Sequence, residues 1–81
     1  MPYVRRVTIT NAKVIHYGTF YGVTSLQTVM VNDVLTAIEP YAFYNTTSLA
    51  GVRGDLTELV SIGESAFENS SISMFNADVN C

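Results

Sequence analysis

The chain is poor in the residue types that carry most protein chemistry. It has one cysteine and one histidine in 81 residues, and only 14% of its residues are charged. The single thiol, Cys81, cannot close an internal disulfide, and no metal-ligand spacing exists. It reads as a chain end, with intermolecular bridging as the alternative use. His16 stands alone, so neither a Ser-His-Asp nor a Cys-His set can be argued. The glycines at 18, 22, 51, 54 and 63 form no phosphate-cradling pattern. No apolar run approaches the ~20 residues that span a bilayer. The opening "MPYVRRVTIT" has an arginine pair but no long apolar stretch behind it, so it does not read as a signal peptide. The sequence is then expected to be intracellular or a mature piece of a longer product. Basic residues are scarce as well. A net charge of −3 speaks against nucleic acid as the main partner.

What is abundant is apolar. Hydrophobic residues make up 48% of the chain, too many for disorder. A domain of this size buries a modest core and has little polar cover, so some apolar surface should seek a partner.

That apolar content is periodic. Ile15, Ile38 and Ile62 are each followed five positions later by Phe20, Phe43 and Phe67. Further columns read Val4/Leu26/Leu49/Ile72, Val7/Val29/Val52/Phe75 and Ile9/Val31/Gly54/Ala77. Ala12, Leu35 and Leu59 lie three residues before each isoleucine. Successive copies are offset by 22–24 residues, the period of leucine-rich repeats. Recurrence has a physical cause. No single coil can bury its own apolar face, so each must present the same shape to the next.

The expected fold is a leucine-rich-repeat solenoid, one domain over 1–81. About four short parallel rungs lie near 4–9, 26–31, 49–54 and 72–77. The first apolar residue of each rung is placed at a corner. Polar turns follow at Thr10-Asn11, Asn32-Asp33, Asp55 and Asp78. "KVIH", "LTAIE" and "LVSIG" read as short extended pieces. "YGTFYG", "PYAFYN" and "GESAFEN" read as single helical or 3-10 turns on the opposite side, with Pro40 and Glu64 suited to helix starts. Gly51 and Gly54 make the third rung the least regular. A small sandwich or barrel is the rival fold.

"AIEPYAFYNTTSLAGV" and "SIGESAFENSSI" resemble the BspA-like, or Treponema-type, leucine-rich repeats. The residues that carry the likeness are Ile38, Ala42, Phe43, Leu49 and Val52 in one copy and Ile62, Gly63, Ala66 and Phe67 in the other. Leu26, Val29 and Val31 match the end of the pattern. The family's cysteine is replaced by Val23 and Thr46, and a residue is missing near Ser70. The proline that follows the strand is replaced by Thr10, Asn32, Asp55 and Asp78. The resemblance implies a non-enzymatic, extracellular or cell-surface protein that adheres to other proteins, normally with many more repeats.

Candidate surfaces follow from the columns. Outward strand positions should form a binding stripe of Arg6, Thr8, Thr28, Met30, Arg53, Met74 and Asn76, with Gly51 beside them. Tyr17, Tyr21, Tyr41 and Tyr44 make a second patch, exposed at an interface or half-buried between coils. Asn45-Thr46-Thr47 and Asn69-Ser70-Ser71 fit the N-x-[ST] glycosylation pattern, although asparagine is common in such corners. The carboxylates sit at turns and outer positions and read as solvated. No D-x-D calcium cluster is present.

The two ends differ in charge. Arg5, Arg6 and Lys13 make the first basic, and residues 55–81 carry five carboxylates with no Lys or Arg. Head-to-tail contacts through Arg5, Arg6, Lys13, Phe75 and Asp78 would build a ring or filament. The expected function is therefore a protein-interaction or adhesion module without cofactor or catalytic site, with no nucleic-acid partner and no membrane insertion. The alternative is a subunit that stacks on copies of itself into a filament or sheath. A small enzyme is the third reading.

Overall fold

The structure, a computed structural model, describes residues 3–72. Six short strands follow one another: β1 (Arg6–Ile9), β2 (Val14–Ile15), β3 (Thr28–Val34), β4 (Ala37–Ile38), β5 (Gly51–Asp55) and β6 (Ser61–Ile62). Odd and even strands separate into two three-stranded sheets, ordered β1-β3-β5 and β2-β4-β6, and every pairing is parallel. Parallel neighbours need a long return connection. Each repeat supplies one, which is why residues about one period apart become neighbours. A hairpin-built sandwich or barrel does not fit this pairing. The expected rung near 72–77 lies outside the described residues, apart from Ile72.

The register reproduces the apolar columns. Val7, Val29 and Val52 are cross-strand partners, as are Ile9, Val31 and Gly54, and Ile15, Ile38 and Ile62. Leu26 and Leu49 precede their strands, are fully buried, and donate their amides to Val23 and Thr46 carbonyls. They are the corner residues, so β3 and β5 begin two residues later than the sequence spacing implied.

A file of phenylalanines runs through the core from repeat to repeat. Phe20 and Phe43 stack with ring centroids 5.2 Å apart. Phe43 and Phe67 repeat that distance with planes 6° apart. Burying one such ring stabilises by about 2–3 kcal/mol, and a stacked pair adds about 0.5–1.5 kcal/mol.

The stretches around these rings are not helical. No helix occurs among the described residues. Each stretch is a chain of tight turns in which alternate amides point in different directions. Thr19, Tyr21 and Val23 donate to carbonyls three residues back, while Gly18, Phe20 and Gly22 donate to Pro40, Ala42 and Tyr44 of the next repeat. The second repeat does the same: Ala42, Tyr44 and Thr46 bond internally, and Tyr41, Phe43 and Asn45 donate to Glu64, Ala66 and Glu68. A helix would use all of these amides within its own repeat. Left-handed residues enforce the alternation. Gly18, Tyr41 and Ser65 share one positive-φ position, and Gly22, Asn45 and Asn69 share another. A single left-handed residue breaks a helix, so the helix-start roles given to Pro40 and Glu64 do not apply.

The repeat length varies at two places: Phe20 to Leu26 and Phe43 to Leu49 are six residues but Phe67 to Ile72 is five, and the corner after each rung lengthens along the chain. From Val7 to Ile15 is eight residues, from Val29 to Ile38 nine, and from Val52 to Ile62 ten. The path from each isoleucine to its phenylalanine stays at five. The second repeat takes up its extra length as a bulge. Val31 pairs with Gly54 and Val34 with Asp55, so Asn32 and Asp33 lie in β3 without cross-strand partners in β5. The expected Asn32-Asp33 turn is thus an irregularity within a strand, and Asp33 caps it by accepting the Val34 amide at 2.8 Å. The third repeat fills its longer corner with Leu56, which is 4% exposed.

Candidate functional site

Alternation along β1, β3 and β5 decides which side chains meet solvent. Val7, Val29 and Val52 point inward, so the residues beside them point out. The register aligns Arg6, Thr28 and Gly51 in one row and Thr8, Met30 and Arg53 in the next. Arg6, Thr8, Met30 and Arg53 are exposed, and Thr28 is half-buried. The stripe read from the sequence is therefore brought together across three strands. It offers two guanidinium groups, one thioether and two hydroxyls. Its remaining members, Met74 and Asn76, lie outside the described residues.

Of the end-contact residues, Arg5, Arg6 and Lys13 are exposed. Beside them Val4, Val7 and Ile9 are only partly buried against the core. Phe75 and Asp78 lie outside the described residues, as does Cys81.

The four tyrosines come together on the turn side. Tyr21 stacks on Tyr44 at 4.8 Å with planes 18° apart. Tyr41 tilts against Tyr17 at 5.7 Å and against Tyr44 at 5.4 Å. Tyr17 and Tyr21 are 66% and 55% exposed, and Tyr41 and Tyr44 are half-buried. Both expected outcomes occur, divided between repeats.

His16 is exposed and its Nδ1 lies 3.4 Å from Glu39 Oε1. The same oxygen accepts the Tyr17 amide at 3.0 Å. This contact was missed in the sequence, although the signal was present. His16 and Glu39 each follow the repeat isoleucine, so stacking places one above the other. Asn45 and Asn69 do likewise: the Asn69 Nδ2 donates to Asn45 Oδ1 at 2.9 Å, one repeat away. Their left-handed backbone gives both asparagines a structural reason to be there.

Asp55 accepts from both the hydroxyl and the amide of Thr57. These two bonds, the hydroxyl first, hold its carboxyl below the usual value. Among the described residues no group of three or more His, Cys, Asp or Glu could hold a metal ion. No described helix is long and apolar enough to cross a membrane.

One family comparison matches nearly the whole chain. The family described as "BspA type Leucine rich repeat region (6 copies)" matches residues 3–81. Comparisons with curated proteins and with solved structures gave no match.

Proposed function

Because the chain belongs to the BspA-type leucine-rich repeat family, we propose that it is a non-enzymatic protein-interaction or adhesion module wound as a continuous solenoid. The observation that supports this most is the register that sets Thr8, Met30 and Arg53 side by side on the outer face of three parallel strands. Repeat proteins use such extended faces to bind other proteins. Arginine and methionine are both enriched at protein interfaces. A partner at the cell surface or in the extracellular space fits the family. The test is binding to a panel of surface and matrix proteins by biolayer interferometry, with Met30→Glu and Arg53→Glu introduced together. The double variant should fold as the parent does by circular dichroism and bind at least tenfold more weakly. Undiminished binding by the folded variant would remove this face from the account.

A second reading has one observation in its favour. β1 is hydrogen-bonded on one side only among the described residues, and Val4, Val7 and Ile9 are half-buried there. A second copy could cover that edge, its acidic coil meeting Arg5, Arg6 and Lys13. Light scattering over a concentration series decides this. Growth that is abolished by Arg5→Glu with Arg6→Glu supports stacking, and a monomer at every concentration excludes it.

A further inference from the structure

We propose that the tyrosine cluster on the turn side is a second recognition surface, which takes an arginine or lysine side chain of a basic peptide against its rings. The fold does not require tyrosines there. In the third repeat the positions of Tyr41 and Tyr44 are held by Ser65 and Glu68, and the same internal turn bonds form. The rings are thus surplus to the turn geometry, and two of the four are more than half exposed.

Their arrangement suits a cation. Tyr41 is tilted 51° to Tyr17 and 54° to Tyr44, so ring faces and edges converge on one patch instead of forming a flat shelf. Cations are drawn to the negative face of an aromatic ring, and guanidinium groups also stack on it. Repeat stacking sets Glu39 beside Tyr17 and Glu68 next after Tyr44 in its column, where the Glu68 Oε1 accepts the Ser65 hydroxyl at 2.7 Å. Glu39 carries the Tyr17 amide on its Oε1. Glu64 and Glu68 lie one repeat on, where their main-chain carbonyls accept from Tyr41 and Asn45, and both side chains are exposed. His16, which precedes Tyr17, is set against Glu39. Rings together with nearby negative charge favour a cationic partner, because a neutral sugar could stack on the rings and hydrogen-bond to the carboxylates but would gain nothing from their charge.

The experiment uses the full chain and a short peptide of alternating glycine and arginine, with its citrulline counterpart as the uncharged control. Titration is followed by calorimetry and by ring chemical shifts. The arginine peptide should bind, shift the Tyr17, Tyr21, Tyr41 and Tyr44 ring signals, and weaken as salt is raised. Citrulline should bind far more weakly. Tyr21→Leu with Tyr44→Leu should weaken arginine binding about tenfold, the loss of two cation–ring contacts. Glu64→Gln with Glu68→Gln leaves the rings in place and should also weaken it, so the claim stays testable if the leucine variant does not fold. Equal binding of the two peptides, full binding by the folded leucine variant, or no shift of the ring signals would each overturn the proposal. Binding of a neutral oligosaccharide without the arginine peptide would do the same. None of these outcomes depends on the strand stripe.

Discussion

The rings of Phe20 and Phe43 lie 5.2 Å apart with planes 11° from parallel, although 23 positions of sequence separate them. Phe67 continues the file on the other side of Phe43. Phe43 is therefore the shared plug of two repeat-to-repeat junctions, and it is fully buried. Phe43→Ala should cost about 3–5 kcal/mol, the range for truncating a buried aromatic. Phe20→Ala should cost less, because Phe20 has one ring neighbour among the described residues. Urea unfolding of both variants measures the difference.

The phenylalanine file was legible from spacing alone. Ile-x4-Phe recurs three times because one bond pattern joins the two residues in every repeat. The strand partners were legible for the same reason: a parallel register is a sequence alignment made physical. The turns were misread. "PYAFYN" opens on a proline that suits a helix start, and Tyr41 gives no sign of a left-handed backbone. The companion column did give one, since Gly22, Asn45 and Asn69 are the residue types that tolerate that conformation. The extra residue between Val29 and Ile38 was countable, but its place as a bulge at Asn32-Asp33 was not legible, because that also depends on how β5 pairs. In the candidate surfaces, outward strand residues followed from alternation. The carboxylates around the tyrosines became visible only when the repeats were stacked.

Gly63 packs where there is no room for a side chain. A Cβ there would run into the backbone of Glu39 and Pro40 in the preceding repeat. Gly63→Ala should destabilise by about 1–3 kcal/mol, as overpacking against main chain does. Gly51→Ala is the control, since a Cβ at Gly51 meets nothing within 4 Å. Thermal unfolding should lower the melting temperature for the first and leave the second nearly unchanged.

Thr46 and Ser70 occupy equivalent places with opposite outcomes. The buried Thr46 hydroxyl donates to the Phe43 carbonyl at 2.7 Å. The Ser70 hydroxyl is buried without a partner among the described residues. Ser70→Ala should therefore stabilise by about 1 kcal/mol, and Thr46→Ala should destabilise by about 1–2 kcal/mol. Chemical denaturation with matched slopes reads both.

Asp55 makes a small contribution that depends on pH. Its carboxyl is lowered in the folded chain, so the folded state holds its proton less tightly than the unfolded state does. The contribution is complete above the ordinary carboxylate value and is lost as pH falls through the lowered one. Thr57→Ala removes the larger bond from the hydroxyl and should flatten this part of the stability-against-pH curve. An unchanged curve would separate Asp55 from acid sensitivity.

The central claim is that each repeat is held by its neighbour through one internal file of rings. Nuclear Overhauser spectroscopy on ring-labelled protein tests it most directly. Cross-peaks should join Phe20 to Phe43 and Phe43 to Phe67, with none between Phe20 and Phe67. Absence of the first two, in a folded sample, would contradict the account.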